Sequence, residues 1–279
     1  MGIRAMQLIC KECNKSFRSK RSFRQYCCRE HANIATGRTR GSTTLEHRDM
    51  VWSCGGGVDS TAIAILITQG KLPKPDYAVM VDCGYERQST MNYVKDVITP
   101  RLGDMGVRMD VIRTVDYGTN ELFDNNGRLR IPAFRKNDDG TISKLNTHCN
   151  GGWKVAIVKR WLRELGVEAC ENWVGIAANE SKRMSVSKYK WFTHRYPLVE
   201  LGYTREDCVY LIGAAGWPLP QRSACYFCPM QTDRQYSLMR QNEPEEFEKA
   251  CVVEDQIQAK DNRLWLRKSC VPLRESIAA

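Results

Sequence analysis

The chain has no long hydrophobic run. Its longest unbroken apolar stretch, Ala62 to Ile67, is far short of the ~20 residues that a membrane-spanning helix needs. Residues Met1 to Gln7 hold no apolar core of a secretory signal, so a cytoplasmic protein without a membrane partner is expected. There is no internal repeat and no long low-complexity tract. The glycine cluster near residue 55 is not followed by a Lys-Ser/Thr pair, which excludes a Walker-type loop. Without an export signal, 13 cysteines in a chain of 279 residues do not read as a disulfide scaffold. In a reducing compartment, clustered cysteines more often bind metal or carry sulfur chemistry.

The length suits one α/β core plus a small module. Charge divides them. Residues 1–50 hold 11 Lys/Arg against 4 Asp/Glu, so they carry +7 of the chain's +10 and leave +3 for the other 229 residues. A basic module on a near-neutral core is the footprint of a nucleic-acid partner. Within the module, Cys10-x-x-Cys13 forms a metal-gripping knuckle, and Cys27 and His31 lie one helical turn apart. These four residues suit a tetrahedral zinc ion, which a segment too small for its own core needs as a staple. The pattern resembles small treble-clef or ribbon fingers of the form CxxC…F…YCxxxC, with His31 in the last cysteine's place. Lys15, Arg18, Lys20, Arg21 and Arg24 suit phosphate-backbone contacts. The stretch Ala35 to Thr44 reads as a linker, which divides the chain into residues 1–45 and 46–279.

Chemistry concentrates in Ser53-Cys54-Gly55-Gly56-Gly57-Val58-Asp59-Ser60-Thr61. Apolar Met50 to Trp52 precede it and the run from Ala62 follows, giving the order strand, glycine turn, helix. Glycines let the backbone approach a phosphate, and the helix N-terminus offers free N–H groups and the positive end of its dipole. Ser60 and Thr61 add hydroxyls. This loop resembles the SGGxDS loop of the PP-loop ATP pyrophosphatases, the superfamily that includes the phosphoadenylyl-sulfate (PAPS) reductases. Gly55 stands where that family has its first serine. The resemblance implies a doubly wound parallel α/β sheet and a site for ATP with Mg2+, held by Gly55 through Thr61, with Asp59 catalytic.

Further segments extend the pattern. Tyr77 to Asp82 is a buried-type strand, and the Asp82-Cys83-Gly84-Tyr85-Glu86 that ends it resembles the family's DTGxE segment. Asp82, Gly84 and Glu86 would then line the nucleotide site. Strands are also expected over Val107 to Val115 and Asn172 to Ile176, and a helix over Ser89 to Ile98. After the last of these strands, Gly175 to Arg183 resembles a GxxxxES.R element beside the adenosine and acceptor. It implies nucleotide-binding roles for Gly175 and Glu180 and a catalytic one for Arg183, which with its neighbour Lys182 would contact an anionic substrate. Pro244 to Asp261 reads as a surface helix.

A second cysteine site is visible in Cys225-Tyr-Phe-Cys228-Pro229, a Cys-x-x-Cys-Pro unit able to hold zinc or iron–sulfur. Cys149 leads into an amphipathic helix from Trp153 to Leu165, apolar at 157, 158, 161, 162 and 165. That region resembles the "C…K…RWLRE" element of PAPS-reductase-like enzymes, which often ligate a [4Fe-4S] cluster, and it marks Lys154 as catalytic. Cys149, Cys225 and Cys228 would leave one iron open for a sulfur donor, whereas Cys208 as a fourth ligand would close it. A structural zinc at the same cysteines is the other reading.

The resemblance therefore implies an enzyme that adenylates an acceptor oxygen, releases pyrophosphate and replaces AMP with sulfur. The acceptor would be a nucleic acid, DNA or tRNA, held by the basic finger. A second reading is reduction of a PAPS-type sulfonucleotide, against which stands the lack of a Glu-Cys-Gly-Leu-His tail. A third is a non-catalytic, zinc-dependent nucleic-acid-binding protein.

Overall fold

A computed structural model describes residues 6–10, 14–19, 47–118, 121–145, 147 and 149–275. Near the N-terminus, β1 (Met6–Ile9) and β2 (Ser16–Ser19) pair antiparallel. Cys10 is buried at the end of β1, where its N–H donates to Lys15 O at 3.0 Å. The other three residues of the zinc reading, Cys13, Cys27 and His31, lie outside the described residues, as does the boundary between residues 45 and 46.

The centre of the molecule is a five-stranded sheet. The chain enters it through β3 (Asp49–Ser53), β4 (Tyr77–Asp82) and β5 (Met109–Arg113). After a small antiparallel pair, β6 (Phe134–Lys136) and β7 (Ile142–Lys144), it returns through β8 (Cys170–Val174) and β9 (Phe192–Arg195). The order β5-β4-β3-β8-β9 is parallel throughout. The chain grows outward from β3 in one direction and then in the other, as doubly wound folds do. Such sheets bind ligands at the carboxyl ends of the strands where the order reverses, here β3 and β8.

Alternation along the strands explains why both faces are covered. On one face, Trp52, Ala78 and Met80 pack with the helices Val58–Thr68 and Arg205–Ala214. On the other, Val51, Val79, Val81 and Ile112 pack with Ile157, Val158, Trp161 and Leu162 of the helix Ala156–Glu164. That helix begins with a wider π-type turn, Asn150–Val155, and ends at Leu165, close to the expected bounds. The expected helix over Ser89 to Ile98 is also present, as an α-helix Gln88–Tyr93 that continues into a π-type turn Val94–Ile98.

A third core lies beyond the sheet's carboxyl edge. It joins Cys83, Trp153 and Phe227 to the helices Asp233–Asn242 and Pro244–Gln258. The strand β10 (Leu264–Trp265) closes it by pairing with β6. The segment read as a surface helix is thus a core helix. Phe247, Ala250, Cys251, Val253 and Ile257 are buried, and Glu254 accepts the backbone N–H groups of Leu266 and Leu273 at 3.2 and 2.6 Å. No helix among the described residues is long and apolar enough to cross a membrane.

Candidate phosphate loop and thiol centre

The glycine run links β3 to the helix Val58–Thr68, with Gly57 at its N-cap and no side-chain cap. The first-turn N–H groups of such a helix have no intrahelical acceptor and face the ligand side. Gly56 takes φ +70°, the left-handed conformation that a side chain resists. Gly175, one residue beyond β8, abuts the loop: a Cβ there would lie 3.2 Å from the Asp59 and Ser60 backbone. The loop is therefore braced from the neighbouring strand.

The loop's hydroxyls divide their work. Ser60 Oγ accepts the Gly55 N–H at 2.9 Å and so keeps its own proton to donate. Thr61 Oγ1 donates to Gly57 O at 3.0 Å, which ties it into the helix. Ser53 Oγ donates to Asn172 Oδ1 at 2.7 Å, linking β3 to β8 rather than facing a phosphate. The Asp59 side chain is only 10% exposed and takes a 2.6 Å hydrogen bond from Arg205 Nη1. Arg205 carries no spacing signal, because 146 residues separate it from Asp59.

Glu180 and Arg183 sit on a 3-10 turn, Ala178–Arg183, where they pair with each other at the surface. Asn179 Oδ1 accepts the Arg205 N–H at 3.2 Å, which brings this turn against the helix that carries Arg205. Asp82 Oδ1 accepts the Gly84 N–H at 2.7 Å and holds the turn after β4.

That turn delivers Cys83 and Glu86 to the Cys225 segment. Glu86 bridges Cys225 across an antiparallel backbone contact, and Tyr226 N–H donates to Tyr85 O at 3.0 Å. Cys83 Sγ lies 3.6 Å from Cys225 Sγ and 3.3 Å from Glu86 Oε1, and Cys225 Sγ lies 3.9 Å from the same oxygen. Lys154 Nζ reaches that oxygen at 2.5 Å, while the Glu86 side chain is only 1% exposed. Although burial opposes its charge, Glu86 and the two thiols push the Lys154 ammonium above its ordinary value. The hydrogen bond with Cys83, burial and the Glu86 charge push the Cys225 thiol well up.

Cys149 and Cys228 belong to the same neighbourhood. Burial raises both thiols, and charge on Cys228 or Cys83 raises Cys149 further. Cys149, Cys225 and Cys228 are soft donors whose chemistry suits an iron–sulfur group, while the compact metal-ligand group among the described residues is Cys83, Glu86 and Cys225. Cys208 is not brought to them. It is fully buried in the core beside the sheet, where burial and the nearby Asp59 push its thiol up to about 12. Cys83, which has no partner at metal spacing in the sequence, occupies the place beside Cys225 instead.

The two halves of the site touch. Ser223 Oγ donates to Gly55 O, two residues before Cys225. Farther along, Arg87 Nε donates to Glu243 Oε2 at 2.7 Å, joining the turn after β4 to the C-terminal helices.

Comparison with solved structures finds similar chains, among them the following two. The chain is similar to U34-tRNA thiolase NcsA from Methanococcus maripaludis with its [4Fe-4S] cluster, at 17% identity and TM-score 0.44, covering 90% of this chain and 87% of that one. It is also similar to phosphoadenylyl-sulfate (PAPS) reductase from Candida auris in a phosphate complex, at 14% identity and TM-score 0.39, covering 68% and 88%. No protein-family description and no curated protein sequence matches the chain.

Proposed function

We propose that this chain is an ATP-dependent enzyme that adenylates an acceptor on a nucleic acid, DNA or tRNA, and replaces the adenylate with sulfur. The observation that carries the reading is the Ser223–Gly55 hydrogen bond. It docks the segment bearing Cys225 and Cys228 onto the glycine loop, which supports a reading in which phosphate and thiol chemistry would share one site.

In this reading the first-turn N–H groups and Ser60 would hold the phosphates of ATP, and Asp59 would be the residue to hold Mg2+. Asp59 would then exchange its Arg205 partner for the metal, leaving that guanidinium free to pair with an anion. The acceptor oxygen attacks the α-phosphorus and pyrophosphate leaves, which turns that oxygen into part of an AMP leaving group. A cluster on Cys149, Cys225 and Cys228 would supply an iron that presents sulfide from a sulfur donor to the activated carbon or phosphorus. Lys154 keeps positive charge against these thiols, and Lys182 and Arg183 meet the acceptor's anionic backbone.

The test is pyrophosphate release from ATP with tRNA or duplex DNA as acceptor, by the anaerobically purified chain. Acceptor-dependent release that falls at least about 100-fold in Asp59→Ala is expected, since the metal-positioning carboxylate is gone. Absence of release with both acceptors overturns the reading. Full turnover in Asp59→Ala removes the loop assignment.

A further inference from the structure

We propose that Cys83, Glu86 and Cys225 form a binding site for one soft divalent metal ion, zinc in the first instance. This goes beyond the sulfur-transfer reading, because two of its three ligands lie outside the cysteine set placed there. Cys225 belongs to both sets, so one chain holds either the single ion or a cluster at that position.

Distances support the site. Zinc–thiolate bonds of about 2.3 Å set the sulfurs of a tetrahedral site about 3.8 Å apart. Cys83 and Cys225 already stand 3.6 Å apart, within van der Waals contact and without a bond between them. A Glu86 oxygen lies within 4.8 Å of both sulfurs, and the three ligand atoms form one compact group. A cluster with one cysteine per iron needs its thiolates spread well beyond contact, so this pair suits a single ion better.

A second observation points the same way. Glu86 Oε1 carries Lys154, but Oε2 is buried with no hydrogen-bond partner in a side chain only 1% exposed. A buried carboxylate oxygen left without a donor is costly, so this carboxylate has unused acceptor capacity next to the two sulfurs, which stand 3.3 and 3.9 Å from its Oε1. Charge also balances. Two thiolates and one carboxylate carry three negative charges, Lys154 supplies one positive charge, and a divalent ion supplies the other two. The thiolate pair selects zinc or a similarly soft ion over magnesium. Three protein ligands leave a fourth position open, the pattern of zinc sites that bind an exchangeable thiol, water or substrate group.

The probe is Co2+, titrated anaerobically into the metal-free full-length chain while thiolate-to-cobalt absorption is followed. Cys83→Ser and Cys225→Ser are each expected to bind one Co2+ fewer than the parent chain. Cys208→Ser, in the separate core, should bind as many as the parent. Glu86→Gln keeps the side-chain shape and both thiols, so it tests the site without depending on how Cys83→Ser folds. It should weaken that one Co2+ by roughly tenfold or more. Unchanged stoichiometry in Cys83→Ser, or unchanged affinity in Glu86→Gln, overturns the proposal. Pyrophosphate release, measured on the same preparations, reports separately on the adenylation step, so either reading can fail while the other stands.

Discussion

Replacing Gly56 with alanine tests whether the loop's conformation is fixed by its surroundings. Two costs add. At φ +70° a side chain meets its own backbone, worth about 1–2 kcal/mol. The new Cβ would lie 2.7 Å from Thr90 Cγ2 and 3.0 Å from Val94 Cγ2. Both neighbours are almost fully buried, Thr90 at 2% and Val94 at 1% exposure, so neither can swing aside. Crowding of this kind costs about 1–3 kcal/mol. The sum, about 2–5 kcal/mol, lowers the melting temperature by about 4–20 °C if each kcal/mol is worth about 2–4 °C in a chain of this size. Gly55→Ala is the control: its Cβ meets only Ser60 Oγ, at an ordinary 3.5 Å, so a change within about 0.5 kcal/mol is expected. Thermal unfolding followed by circular dichroism reads both variants. If Gly56→Ala melts with Gly55→Ala, the tight seat of the loop against Thr90 and Val94 is refuted.

Lys154→Met strands the Glu86 carboxylate in a buried site and should cost about 3–5 kcal/mol in urea unfolding; the double variant with Glu86→Gln should recover most of it, and no recovery would separate the two residues. Burial pushes the His194 imidazole down, so the unfolded chain binds more protons than the folded one as the pH drops past the ordinary histidine value. Stability from this residue is therefore complete above about pH 6.5 and lost as pH falls through the lower folded value. His194→Gln should flatten the difference in melting temperature between pH 7.5 and 5.5, and an unchanged difference would contradict this. Removing residues 1–45 should weaken nucleic-acid binding and flatten its salt dependence, because cations that displace counterions are lost; equal slopes in filter binding would take the basic segment out of substrate capture.

What the sequence makes legible here is local. Although its seat against Thr90, Val94 and Gly175 is set from afar, three glycines between an apolar strand and an apolar helix announce the loop. The Cys-x-x-Cys spacing at 225 and 228 is likewise a property of four consecutive residues. Cys83 and Arg205 are different: their partners lie 142 and 146 positions away, so only the folded chain reveals what they touch. The core helix Pro244–Gln258 lies between these cases. Phe247, Ala250, Cys251 and Ile257 recur at near-helical spacing, yet the acids of its first turn draw attention to solvent. Strands as short as β6, β7 and β10 leave no period to read.

The contact between Ser223 and Gly55 has a consequence for timing. Any displacement of the loop reaches Ser223 directly. Only Ala224 then stands between it and Cys225, itself pinned to Glu86 by a backbone bridge. So little slack means that a shift of the glycine loop would carry over to the position of the Cys225 sulfur. On the proposed sulfur-transfer reading, that coupling would keep the thiol centre out of register until the loop is occupied.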